Sequence, residues 1–464
     1  MKRALILTSL LAIGAVSGAL AYRAADRERS YRLLVTSGET ALAQGANLTA
    51  VEDFSGAIVV RPDAMLPRLR RGETYRRLGD LDLAARDFRA AATLDPTATR
   101  PLDALGDVLF LQGRYKRAVE TLETRLQLDD RSAVARYKLG LAHYRDGAID
   151  AALRDATLAL GIDDQLADAQ YLAAICLRDS GRLADATAAF SRAIERAPGM
   201  IAAREELADL LAASGRYGEQ LEQLQVLAGM DASHAERQLA VGSAQARAGK
   251  TDLAVATLTA ALDRASDPSI VNAAIGRVWL RIAEEHHERT DALGKALEAL
   301  ERAASALTAT SETKALYGRA LQLAGQLDAA EQVFQQATER YPIDPEALRQ
   351  LSVVASTLRH PALARSSLIT FTALVPSDPD AATNAARVGE LSLQLNDTAS
   401  AVQWLQRSVD TRPDDAKTVT LLGEAQLKAG MLRDARGTAA RALALDPSNA
   451  RALTLAARLR GLGV

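Results

Sequence analysis

Small and large apolar residues recur along the chain in one arrangement. The stretch LAARDFRAAATLDP at 83–96 returns in close variants as DATAAFSRAIERAP at 185–198, AAEQVFQQATERYP at 329–342 and DARGTAARALALDP at 434–447. In each, alanine and larger apolar residues fall at helical spacing, polar residues fill the positions between, and a proline closes the run. The first two starts lie 102 residues apart, three times 34. A repeat of that length is the mark of an architecture built from stacked supersecondary units.

Windows of 34 residues counted from Tyr31 keep the punctuation in phase without a gap through residue 268. One column holds Gly38, Gly72, Gly106, Gly140, Gly242 and Gly276, with Ala174 and Ala208 substituting. A second, seven residues later, holds Gly45, Gly79, Gly113, Gly147, Gly181, Gly215 and Gly249. Ala50, Ala84, Ala118, Ala152, Ala186 and Ala254 form a third, and four residues on stand Phe54, Phe88, Leu122, Phe190 and Leu258. Pro62, Pro96 and Pro198 end several windows, with Asp130 and Asp164 in the same place elsewhere.

Each column has a mechanical meaning. A small residue in the first lets one helix approach its partner closely. The second glycine falls between two helical periodicities, where a left-handed backbone turns the chain. The alanine and the large apolar residue four positions later share a face of the second helix, so that ridges interlock. Asp-Pro or Ala-Pro stops that helix, because the residue before proline is pushed out of helical backbone. The pattern therefore predicts two helices per window.

These residues resemble the tetratricopeptide repeat (TPR) family, with its W-x2-L-G-x2-Y, A-x3-F and P pattern. Matching elements are Gly72-x2-Tyr75, Leu139-Gly140, Leu422-Gly423, Ala84-x3-Phe88 with Pro96, and Ala330-x3-Phe334 with Pro342. The resemblance covers about nine-tenths of the chain, in windows 31–64, 65–98, 99–132, 133–166, 167–200, 201–234, 235–268, 269–310, 311–344, 345–381, 382–415 and 416–449. Residues 450–464 then read as an amphipathic capping helix over the last apolar face. The family's tryptophan is missing from its column, where Arg68, Leu102, Arg136 and Gln170 stand. Windows 201–234 and 345–381 are the weakest, and 269–310 carries extra residues around AEEHHERTDALGK. The implied fold is all-α: a right-handed TPR-like α-solenoid of about twelve helix-turn-helix repeats, preceded by an apolar signal or anchor helix in residues 1–30.

Composition changes this picture little. Aromatics are 4% of the 464 residues, and alanine, leucine, arginine and acidic residues dominate, as expected of a helical chain. A formal net charge of −2 lacks the basic bias of a general nucleic-acid binder. The single cysteine, Cys176 in YLAAICL, reads as a buried structural thiol.

The start of the chain is different. Lys2 and Arg3 precede an uncharged stretch from Ala4 to Tyr22, in which Ala19-Leu20-Ala21 fits a small-x-small cleavage pattern. The run is long for a signal peptide and just long enough for a membrane anchor at residues 4–22. The basic start and the cleavage pattern favour export of the body to the periplasm of a bacterial envelope, secreted or anchored to the inner membrane. Arg23, Arg27, Arg29 and Arg32 argue instead for an anchor whose body faces the cytoplasm. No cysteine near the apolar run supports a lipoprotein.

Chemistry-bearing patterns are few. In EEHHE at 284–288, His286 and His287 are adjacent and point about 100° apart on a helix, so the expectation is a solvated helix extension with no metal. No phosphate loop, nucleophile turn or H-E-x-x-H is present, and His143, His234 and His360 fall in different windows. The chain is expected to be non-enzymatic, without cofactor or small-molecule substrate. What the resemblance implies is a concave groove lined by the first helix of each pair, receiving peptide or helical segments of protein partners. Groove positions hold Glu73, Arg76, Arg77, Asp103, Asp107, Phe110, Tyr137, Tyr144, Arg145, Tyr171 and Arg178, and more sparsely Arg277, Arg319 and Glu424. The implied role is a protein-interaction scaffold in the envelope, in secretion, surface-polymer export or assembly of a membrane complex. The alternative is a cytoplasm-facing, membrane-anchored adaptor that presents a substrate to a protease or biosynthetic enzyme.

Overall fold

The computed structural model describes residues 2–230, 235–286 and 288–463, and for 2–15 the backbone alone. Among these residues every regular element is an α-helix, and the chain forms two compact units, Met1–Gln223 and Leu224–Val464. The boundary falls inside window 201–234, where Ala208 replaces the first-column glycine.

Unit 1 runs α1 (Lys2–Ala43), α2 (Asn47–Val60), α3 (Met65–Leu78), α4 (Leu81–Leu94), α5 (Thr99–Leu111), α6 (Tyr115–Leu128), α7 (Ala133–Arg145), α8 (Ile149–Ile162), α9 (Ala167–Asp179), α10 (Leu183–Arg196) and α11 (Ile201–Ala213). Helix α12 (Tyr217–Met230) crosses the boundary. Unit 2 continues with α13 (Ala235–Arg247), α14 (Thr251–Leu262), α15 (Pro268–Glu285), α16 (Ala292–Ala304), α17 (Ser311–Leu323), α18 (Leu327–Thr338), α19 (Pro345–Thr357), α20 (Pro361–Leu374), α21 (Ala381–Gln394), α22 (Thr398–Thr411), α23 (Ala416–Lys428), α24 (Leu432–Leu445) and α25 (Ala450–Gly461).

Odd-numbered helices from α1 to α9 and from α13 to α23 are the first members of antiparallel pairs, each packed on the even-numbered helix that follows it. What brings the members of a pair together is the glycine column. A Cβ at Gly72 would lie 2.7 Å from the Phe88 ring, and one at Gly389 would lie 2.5 Å from Leu405. Phe54, Phe88, Phe190 and Phe334 are fully buried. The bulky residue of the second helix thus sits in the notch that the missing side chain leaves in the first, and the column alanines beside it, such as Ala84 and Ala118, are fully buried as well.

The second glycine column turns the chain. Gly79 has φ 85°; its N–H donates to the Arg76 carbonyl at 3.2 Å, while the Asp80 N–H donates to the Tyr75 carbonyl at 2.9 Å. This double bond satisfies carbonyls that the helix end leaves open. In two later windows the same left-handed residue is Arg359 (φ 62°) or Asn396 (φ 58°). The weak look of window 345–381 therefore hides a turn of ordinary geometry. At the other end of the pair, Asp95 is extended before Pro96 and stops α4.

One polar clamp is built into the apolar packing. Arg71 of α3 donates from Nε and Nη2 to both carboxylate oxygens of Asp87 on α4, at 2.7 and 2.8 Å, and from Nη1 to the Ser55 hydroxyl on α2 at 2.9 Å. Asp87 is buried, and the bidentate geometry offsets its desolvation. Cys176 is also fully buried, and burial pushes its thiol up to about 12, so it behaves as a small core side chain.

Consecutive pairs stack so that first helices touch one another, α1 with α3, α3 with α5, α5 with α7 and α7 with α9, whereas second helices do not approach comparably. Unit 1 accordingly curves toward its first helices, and their outward-facing residues line its inner side. Unit 2 shows the same preference from α13 through α19 and from α21 through α25, with α25 laying Ala452, Leu455 and Leu459 against the last pair. No described helix is long and apolar enough to cross a membrane. The expected signal or anchor at 4–22 falls mostly on residues whose side chains lie outside those described; its backbone continues without a break into the first repeat helix as α1.

Two glycine substitutions test the packing account. Gly72→Ala replaces a poor helix former, a gain of about 1 kcal/mol, yet overpacks against Phe88 at a cost of about 1–3 kcal/mol. Urea unfolding should show net destabilisation, whereas Gly437→Ala, with open space around its Cβ in mid-α24, should stabilise by about 0.5–1 kcal/mol. At the turns the sign reverses with residue type. Gly79→Ala should lower stability by about 1–2 kcal/mol and Arg359→Gly should raise it by about 1 kcal/mol, read from the shift in thermal midpoint.

Candidate functional site

The fifth, ninth, twelfth and thirteenth places of each window, the expected groove positions, lie on the first helices of unit 1, although Val35 and Leu69 at the fifth place are buried in the core. Most of the charged ones reach sideways to the neighbouring first helix. Arg70 bonds Glu39 of α1 at 3.2 Å and Glu73 at 3.0 Å, and Glu73 in turn accepts from Arg100 of α5 at 2.8 Å. Asp107 of α5 lies 3.9 Å from Arg76 of α3 and accepts from Lys138 of α7 at 2.6 Å. Arg178 of α9 pairs with Asp179 and with Glu206 of α11. Arg77 donates to the Leu42 carbonyl of α1 at 3.2 Å. Asp103 turns away, accepting from Arg125 of α6 at 3.0 Å.

These pairs form a lateral ladder. Exposed ion pairs are each worth only ~0–1 kcal/mol, so the ladder sets the register of neighbouring first helices more than it stabilises them. It also neutralises most of the charge that the groove positions carry. Glu73, Arg76, Arg77, Asp107 and Arg178 are thus engaged within the protein.

The remaining candidates are aromatic, with one exposed cation. Phe110 meets Tyr115 edge-on at 5.4 Å. Tyr171 leans against the buried Phe190 at 5.8 Å, and Tyr137 and Tyr144 pack beside it on the same core. Tyr144 donates to Asp179 at 2.7 Å; burial, with that bond behind it, pushes its phenol up to about 12. Burial likewise raises Tyr137 and Tyr171 above the usual phenol range. Arg145 is exposed and has no hydrogen-bond or ion-pair partner among the described residues. The site therefore offers half-buried rings, held in place from below, beside a free guanidinium. Such a surface grips by stacking and hydrogen bonding.

Unit 2 uses its sparser charges in the same way. Arg277 bonds Glu312, Arg319 bonds Glu284 and Arg451 bonds Glu424, each at 2.7 Å. A cavity of about 750 Å³ opens beside α17 and α19, with Leu307 and Tyr341 almost fully exposed at its lip.

The other chemical candidates are also engaged. Around EEHHE, helix α15 continues to Glu285; Glu284 is held by Arg319, Glu285 by Arg281, and His286 lies 3.1 Å from Glu288. His287 lies outside the described residues, as does His234. Among the described residues no cluster of His, Cys, Asp or Glu has a metal-binding arrangement. His143 faces Asp155 at 2.8 Å with Arg136 on the second carboxylate oxygen at 3.6 Å, and the hollow beside them is lined by no hydroxyl or thiol. His360 bonds Glu331 at 2.9 Å.

Reading windows one at a time misses Glu39, Arg100, Lys138, Asp179 and Glu206. For Glu39, Lys138 and Asp179 the signal is a recurring separation of complementary polar groups, 31 residues for Glu39 to Arg70 and Asp107 to Lys138 and 35 for Tyr144 to Asp179, as for Arg277 to Glu312 in unit 2. These lie within one helical turn of the 34-residue period, as side chains on adjacent parallel helices must.

Comparisons with known proteins agree with the repeat. Family models described as "Tetratricopeptide repeat" match residues 35–99, 155–201, 171–235 and 392–459, and one described as "TPR repeat" matches 106–147. No curated protein matches the chain. Among solved structures, MamA from Desulfovibrio magneticus RS-1 is 20% identical, covering 37% of this chain and 97% of its own, with a TM-score of 0.35. YrrB, described as a TPR protein with an unusual peptide-binding site, is 22% identical over 40% of this chain and 95% of its own, with a TM-score of 0.34. A tetratricopeptide repeat protein from Parabacteroides merdae is 17% identical over 63% of this chain and 99% of its own, with a TM-score of 0.37. The family matches together span more than half of the 464 residues and follow the period on which the helix pairs are built, and the chain belongs to the tetratricopeptide repeat family.

Proposed function

We propose that this protein is a non-enzymatic scaffold of the bacterial cell envelope whose unit 1 holds peptide or helical segments of partner proteins on its inner side. Membership of the family supports protein interaction as its general role. The observation that carries the reading is the contrast along the inner side: a ladder of satisfied charges around a patch where Tyr137, Tyr171 and Arg145 have no hydrogen-bond partner among the described residues. Half-buried tyrosines and an open arginine are the residue types that dominate binding energy at protein interfaces.

The envelope assignment rests on the sequence of the leader, with its basic start, uncharged run and Ala19-Leu20-Ala21 pattern. In this reading the body lies in the periplasm, secreted or anchored to the inner membrane by residues 4–22, and serves secretion, surface-polymer export or assembly of a membrane complex. A second reading is favoured by Arg23, Arg27, Arg29 and Arg32: an anchored adaptor facing the cytoplasm, which presents a substrate to a protease or biosynthetic enzyme.

Two measurements test these readings. Capture of partners from native membranes, quantified by mass spectrometry, should fall about tenfold or more when Tyr137→Ala and Arg145→Ala are combined; undiminished capture by a folded variant would move the site elsewhere. Fusions at Val464 report orientation: an active alkaline phosphatase and a dark fluorescent protein are expected for an exported body, and the reverse pair of results would establish the cytoplasm-facing adaptor.

A further inference from the structure

The tyrosine patch of unit 1 has a sign. Tyr137 and Tyr144 stand on α7 and Tyr171 on the neighbouring α9, all packed against the core that contains Leu172 and Phe190. Their rings are fixed from below by that packing, and Tyr144 is fixed further by its bond to Asp179. Asp179 accepts from Tyr144, Arg178 of α9 pairs with Glu206 of α11, and Asp168 and Glu205 stand 31 residues after Tyr137 and 34 after Tyr171, the separations at which side chains of adjacent first helices meet. Asp168 acts on Tyr137, Asp179 on Tyr144, and Glu205 and Glu206 on Tyr171, each adding to burial in holding the phenol in its neutral form.

Two guanidiniums stand in the same neighbourhood. Arg178 is engaged by Asp179 and Glu206, and Arg145 remains as one exposed cation at the end of α7. Asp168 on α9 and Glu205 on α11 are exposed and have no ion-pair partner among the described residues. The patch is therefore acidic on balance, in contrast to the neutralised ladder beside it.

Aromatic faces attract cations through their quadrupole, and carboxylates at their rim add charge-assisted hydrogen bonds. Rings and charges recur here at the spacing of adjacent first helices, which suits side chains carried along one extended segment. We infer that this patch docks a basic peptide segment of a partner protein, its arginine or lysine side chains laid on Tyr137 and Tyr171 with their charges against Asp168 and Glu205. The inference rests on the inner side of unit 1 being the partner-binding surface, and narrows the partner to a segment rich in arginine or lysine.

Titration of the full chain with fluorescein-labelled short peptides of alternating arginine and alanine, or of alternating glutamate and alanine, tests it by anisotropy. The basic peptide should bind and the acidic one should not, with affinity that weakens as salt is raised. Asp168→Asn combined with Glu205→Gln, at two exposed positions that leave the core untouched, should weaken the basic peptide about tenfold with an unchanged circular dichroism spectrum. Preference for the acidic peptide, or equal binding of the basic peptide by this variant, would overturn the inference. If the Tyr137 and Arg145 substitutions abolish partner capture while the basic peptide does not bind, the groove stands and its basic specificity fails. If they leave capture unchanged, both fail.

Discussion

The close approach of two helices at a residue without a side chain is the constraint on which the rest depends. Phe88 fills the notch at Gly72, Phe334 the notch at Gly318 and Leu405 the notch at Gly389, and in each case a methyl group on the glycine would overlap the ring or branch. Where this lock recurs, pairs take nearly the same shape, and within each unit the stacked pairs bury apolar clusters that none could bury alone. The first helices then fall against one another, which creates an inner side.

That inner side divides into two kinds of surface. Where opposite charges sit about one period apart, they satisfy each other across neighbouring helices, as Glu39 does with Arg70 and Asp107 with Lys138. Where tyrosines replace them on α7 and α9, the lateral bonds thin out, and rings, carboxylates and Arg145 remain for an outside partner. In the proposed reading the same helix face serves assembly at one stretch and recognition at another, decided by whether a side chain finds its complement in the next repeat.

Much of the fold was legible because its locks and turns use glycine, which leaves a visible column. The turns at Arg359 and Asn396 were not, since a non-glycine residue can hold a left-handed backbone at a cost of about 1–2 kcal/mol without leaving that mark. The Arg71–Asp87 clamp was hidden because each residue alone looks like an ordinary surface charge; only the antiparallel docking of α3 on α4 brings them together. At the candidate site the period placed these residues on first helices, and their engagement was not legible. Glu73, Asp107 and Arg178 stand where a groove residue stands, but the stagger between adjacent first helices decides that they meet Arg100, Lys138 and Glu206. The division at Gln223 and Leu224 gave no linker signal, although it falls in a window whose first column lacks glycine.

Hydrogen exchange of the full chain, alone and with a partner captured from native membranes, is the most direct measurement of whether the inner side of unit 1 is the recognition surface. Added protection should be confined to the first helices α7, α9 and α11, with the second helices α8 and α10 unchanged. Protection that appears on α8 and α10 while α7 and α9 stay as they were would contradict it.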